Sequence, residues 1–128
     1  MPMVKKITAV LYAADIEPCV KFWVKSLGFT QTAEVVYGGK LSFAMLQKGD
    51  VEVMYQTHAS AEEDVPSLAY LYKLGPTFLF IEVDNLEEVI LAVQDAKVAI
   101  KPRTTIYGAK EYGIFDPAGH VILFAQFS

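Results

Sequence analysis

The chain repeats itself, and that repeat limits its possible folds more than any other feature. Lys110 to Phe127 reads KEYGIFDPAGHVILFAQF: two apolar runs, Glu111–Phe115 and Val121–Phe127, around Asp116-Pro117-Ala118-Gly119. Pro fixes φ early in a turn and Gly tolerates positive φ at its end, so this is a hairpin. Seventy residues earlier, KLSFAMLQKGDVEVMYQ has the same shape, with Lys40, Gly49, Val51 and Gln56 matching Lys110, Gly119, Val121 and Gln126. Tyr37-Gly38 likewise matches Tyr107-Gly108. Two copies of one module must therefore share a core that neither closes alone.

Upstream, Ile7 to Ala14 is apolar on both faces and reads as a buried strand. Asp15 is placed to cap a helix, with Pro18 in its first turn, where a missing N–H costs little. Ile16, Val20, Trp23, Val24 and Leu27 recur at helical spacing, and Gly28 ends the stripe. Strands over Phe29–Tyr37, Leu41–Leu46 and Val51–Gln56 complete a β-α-β-β-β module of about residues 4–57. Residues 58–76 match neither copy and form a linker, with a short helix expected at Val65–Lys73 and the acidic Glu62-Glu63-Asp64 as its solvated start. The second module, about 77–128, opens with a strand at Thr77–Val83. Asn85 caps a helix carrying Leu86, Val89, Ile90 and Val93, and a strand over Val98–Ile106 is interrupted by Pro102, which suits an edge or a bulge. The fold class is α+β, with the two modules pairing sheets as a single domain and their helices outside.

With 128 residues, 53% hydrophobic and 20% charged, the chain is long and apolar enough for one globular domain. A formal net charge of −4 argues against a nucleic-acid partner and permits a cationic or neutral one. No apolar run approaches a membrane span. The single Cys19 lies beside the helix stripe, where it packs, and fits a reducing, cytoplasmic setting.

Order, spacing and repeat, together with the segments AADIEPCVKFWVKSLGF, GDVEVMYQ and YGAKEYGIFDPAGHVILFAQ, resemble the vicinal oxygen chelate superfamily. That group includes glyoxalase I, extradiol dioxygenases and bleomycin resistance proteins, and the last branch is the most similar. The resemblance implies two βαβββ modules forming a mixed-sheet cleft. It also implies a homodimer and, in the enzymes, four His, Gln or Glu ligands near the starts of the first and last strands. A divalent ion needs such donors converging at about 2.0–2.2 Å. Here those positions hold Thr8, Phe78 and Leu123, plus Val53 by the 70-residue offset or Glu52 after a one-residue shift. At best one carboxylate remains, so no metal or other cofactor is expected. His58 opens the linker and His120 sits in the tight turn, where a solvated, structural role is the expectation.

The inferred concave face carries Thr8, Val10, Tyr12, Phe78, Phe80, Glu82, Leu123 and Ala125, with Glu52 or Met54 from the fourth strand and Tyr107 and Tyr112 at the border. Aromatic walls with a few carboxylates and hydroxyls suit a partly aromatic, neutral or cationic small molecule. Glu82, inside FLFIEVD, either faces a wet cavity, finds a partner such as Arg103, or lies solvated at the strand end. The leading expectation is a metal-free binding protein; the alternative is a divergent metal-dependent lyase or dioxygenase.

Overall fold

A computed structural model describes residues Met1–Ser128. The first module runs β1 (Ala9–Ala13), α1 (Glu17–Leu27), β2 (Thr30–Tyr37), β3 (Lys40–Lys48) and β4 (Val51–Thr57). The linker holds α2 (His58–Asp64) and a 3-10 helix over Pro66–Leu74. The second module runs β5 (Phe78–Glu82), α3 (Leu86–Ala92), β6 (Val98–Thr104), β7 (Ala109–Phe115) and β8 (Val121–Phe127). Each module makes a four-stranded mixed sheet of the same order, β1-β4-β3-β2 and β5-β8-β7-β6. β1 lies parallel to β4, and β5 parallel to β8. No helix is long and apolar enough to cross a membrane.

The duplication is real but not rigid. Ala9 pairs with Val53, whereas Leu79, its counterpart 70 residues on, pairs with Ile122 rather than Leu123. The last strands are therefore one residue out of step with the offset. Because side chains alternate along a strand, that slip reverses faces. Val53 points into the core. The counterpart of Leu123 is neither Val53 nor Glu52 but Met54, which pairs with Val10 as Leu123 pairs with Phe80. Glu52 lies two residues before it on the same outer face. Gln56 and Gln126 match in sequence yet lie on opposite faces. Gln56 donates to Ser60 Oγ at 3.1 Å, whereas Gln126 Oε1 accepts the Leu86 N–H at 2.7 Å where α3 begins.

One core serves both modules. Leu11, Ala13, Val53, Tyr55, Ala44 and Leu46 of the first sheet and Ile114, Ile122 and Phe124 of the second cluster with Trp23, Val20 and Cys19 of α1 and Leu86 beside Val93. The helices cover this side of the sheets and leave the other face open. Trp23 anchors α1, packing edge-on against Phe29 at 4.8 Å between centroids. Gly28 ends the helix at φ +73°, a left-handed conformation that side chains disfavour.

Two local expectations need correction. Asp15 does not cap α1 directly: Ile16 holds that position, and Asp15 Oδ1 instead accepts the Glu17 N–H at 3.1 Å. In the linker, Glu62-Glu63-Asp64 ends an α-helix instead of opening one. That helix starts at His58, where Thr57 Oγ1 accepts the Ser60 N–H at 3.1 Å. The segment after it winds as a 3-10 helix with no buried residue. Elsewhere, Asn85 caps α3 through Glu88 N–H, and Pro102 falls in the bulge of edge strand β6, as its missing N–H requires.

Candidate functional site

The open face of the first sheet is built from alternate residues. Thr8 stands just before β1 beside Glu52, its Oγ1 donating to Glu52 Oε1 at 2.9 Å. Lys6 Nζ lies 3.1 Å from the other carboxylate oxygen. These two bonds, that from Thr8 the stronger, hold the Glu52 carboxyl below its ordinary pKa. Farther along, Val10 faces Met54, and Met54 faces Met45 across β3. Tyr12 pairs with Gln56, Gln56 with Phe43, and Phe43 with Val35. Bulges in β2 flanking this row bend the sheet.

On the second sheet, Phe78 pairs with Val121, Phe80 with Leu123 and Glu82 with Ala125. Phe78 and Phe80 are 57% and 50% exposed, although large apolar side chains belong inside. Phe80, Phe127 and Tyr107 follow one another at ring separations of 6.4 and 6.1 Å, an aromatic row along the open face. Leu123 is buried beneath it.

Glu111 is a functional-face residue that the sequence reading missed. It pairs with Ala125 on the open side of β7, yet its side chain is fully buried. Arg103 Nε and NH2 reach Oε1 at 2.9 and 2.8 Å, and the Tyr107 hydroxyl donates to Oε2. Arg103 therefore belongs to Glu111, not to Glu82, which is exposed at the strand end. The Tyr107 bond and then Arg103 hold the Glu111 carboxyl below its ordinary pKa of 4.5. A depressed carboxylate stabilises the fold fully above its unfolded value, and that contribution is lost as pH falls through the folded one. The double variant Arg103→Met with Tyr107→Phe is accordingly expected to be less stable at neutral pH, with the gap to the parent closing below about pH 4.5. Unfolding midpoints measured from pH 7 to 3 check this; a constant gap would contradict it.

Two other sites also differ from expectation. Tyr112 joins the core instead of bordering the cleft, because β7 turns it to the face opposite Glu111. His120 is only 5% exposed, not solvated. Its Nδ1 accepts the Thr77 N–H at 2.7 Å, which leaves the proton on Nε2 to donate to the Tyr12 carbonyl at 2.8 Å. One imidazole thus ties the first strands of both modules together. His58 stacks on Tyr72 at 4.0 Å, and Tyr72 donates to Glu62. Burial, opposed by Glu62, holds His58 below its ordinary pKa.

Behind the face lies a buried polar chain. Trp23 Nε1 donates to the Tyr55 hydroxyl at 2.8 Å, and Tyr55 donates to Asp116 Oδ2 at 2.6 Å. Asp116 Oδ1 accepts the Ala118 and His120 N–H groups at 3.0 and 2.8 Å. Burial, reinforced by Asp116, pushes the Cys19 thiol up to about 12, so it is no nucleophile at neutral pH.

The donors do not suit a divalent metal. Of Thr8, Glu52, Phe78 and Leu123, only Glu52 is a strong ligand, and its oxygens already serve Thr8 and Lys6. No three His, Cys, Asp or Glu side chains converge anywhere in the chain. What the first sheet does offer is a cleft of about 770 Å³ between its far end and α2.

The family model described as the Glyoxalase/Bleomycin resistance protein/Dioxygenase superfamily matches residues 6–124. No curated protein matches the chain in sequence. Among solved structures, the chain is similar to TioX from Micromonospora sp. ML1 (TM-score 0.77, 15% identity, 98% of this chain and 100% of that one). It is also similar to lactoylglutathione lyase from Agrobacterium tumefaciens (TM-score 0.74, 15% identity, 98% and 95% covered). A third is a bleomycin-binding protein complexed with bleomycin (TM-score 0.69, 18% identity, 98% and 100% covered). At these identities the likeness establishes the fold alone.

Proposed function

The chain belongs to the glyoxalase/bleomycin resistance protein/dioxygenase superfamily, and we propose that it is a metal-free member that binds a small molecule without transforming it. The ligand is partly aromatic and neutral or cationic, and the working form is a homodimer joined through the open face of the second sheet. The observation that carries this reading is the donor set: one carboxylate, already bonded to Thr8 and Lys6, where the family's enzymes gather four ligands. Exposed Phe78, Phe80 and Tyr107 support an apolar, aromatic contact surface in place of a metal centre. The similar bleomycin-binding structure is a precedent for sequestration on this fold.

Thermal unfolding of EDTA-treated protein with Ni²⁺, Zn²⁺, Mn²⁺ or anaerobic Fe²⁺ tests the reading. A metal bound at about 100 times its Kd would stabilise the fold by roughly 2.7 kcal/mol, a clear rise in midpoint. The expected result is no rise with any of the four. A rise with one would put a metal-dependent lyase or dioxygenase first.

A further inference from the structure

The cleft beneath α2 differs from the rest of the open face in having a roof. Its floor is Val35, Phe43 and Gln56 of the first sheet, and α2 closes one side with Ser60, Glu63 and Asp64. That helix lies in the linker, which the repeat does not contain, so the second sheet has no counterpart. The cavity is about 770 Å³, within the range of sites that hold drug-sized molecules.

Its chemistry is specific. Phe43 and Tyr37 offer ring faces, and Tyr37 is 77% exposed at the rim. One Gln56 side-chain N–H goes to Ser60, which orients the amide and leaves its carbonyl oxygen to accept a ligand N–H. Three carboxylates line the cleft, Asp15, Glu63 and Asp64, against one cation, Lys40. None of them is in an ion pair, since the chain's two pairs are Lys6–Glu52 and Arg103–Glu111. These charged groups are exposed at the rim of the cleft, and their balance of three to one biases it toward a cation. Aromatic faces add attraction for a cation and stacking for a ring.

We propose that this cleft, rather than the face around Phe78 and Glu82, is the primary ligand site, and that its ligand joins an aromatic ring system to a positively charged amine. The assignment rests on the binding reading above and narrows it in place and charge. The ring lies between Phe43 and Tyr37, and the ammonium faces Glu63 and Asp64 with Gln56 Oε1 within reach of its N–H.

Three probes of one shape separate the possibilities: 1-naphthylmethylammonium, 1-naphthylmethanol and 1-naphthoate, titrated into ¹⁵N-labelled protein. The ammonium is expected to bind about tenfold more tightly than the alcohol, and the carboxylate weakest. Amide shifts should centre on residues 35–43 and 56–64. The exposed double variant Glu63→Gln with Asp64→Asn should erase the preference for ammonium over alcohol. Shifts centred on Phe78, Phe80 and Tyr107 would overturn this site and leave the binding reading standing. Equal affinity for all three probes would overturn the charge assignment. No binding at millimolar concentration would overturn the site as a whole, whereas the binding reading itself falls to a metal response.

Discussion

Asp116→Ala is expected to destabilise the protein by about 3–5 kcal/mol, because it removes the one acceptor shared by three donors, two of them buried. Tyr55 O–H and the Ala118 and His120 N–H groups all end on this carboxylate, which is 4% exposed. Without it the Tyr55 hydroxyl and the His120 N–H stay buried and unpaired, and the β7–β8 turn that positions His120 loses its brace. For a domain of this size the unfolding midpoint should fall by roughly 10 °C or more. Asp116→Asn keeps an acceptor without the charge and should fall between. Tyr55→Phe, which strands the Trp23 indole N–H, should cost about 1–2 kcal/mol and combine less than additively with Asp116→Ala. Denaturant unfolding of the parent and the four variants measures this, and an unchanged midpoint for Asp116→Ala would refute the network's role.

Phe80→Asp is expected to convert the proposed dimer into a monomer. Phe80 and Phe78 are half exposed and leave the open face of the second sheet apolar. A second copy would cover that surface, and large aromatic anchors at the centre of an interface commonly contribute most of its energy. A carboxylate there should weaken association at least about 100-fold, while the half-exposed site leaves the monomer's core intact. Sedimentation equilibrium across micromolar concentrations provides the test. The parent should be a dimer and the variant a monomer that keeps its circular dichroism. A monomeric parent would remove the proposed assembly.

Much of this architecture is legible in the residues. The hairpin chemistry of Asp116-Pro117-Ala118-Gly119, the stripe through Ile16, Val20 and Trp23, and the cap at Asn85 each encode their structure locally, and the structure follows them. What was hidden depended on contacts distant in sequence. Nothing near His120 announces that Tyr12 and Thr77 will close over it. Glu111 and Tyr112 are neighbours in a run that is apolar on both faces, so periodicity could not say which one turns inward. Arg103 and Tyr107 decide it from the adjoining strand and hairpin. The cleft depended on α2, whose sequence HASAEED has no apolar stripe to reveal a helix; Thr57 before it was the available signal.

The 3-10 segment over Pro66–Leu74 joins the modules without burying a single side chain. Everything that binds one half to the other runs elsewhere, through the common core, the Tyr55–Asp116 bond and the His120 tie. Covalent continuity is thus the least committed part of the molecule. The protein is in effect a heterodimer written as one chain, and a nick at the linker would leave two fragments with every noncovalent reason to stay together.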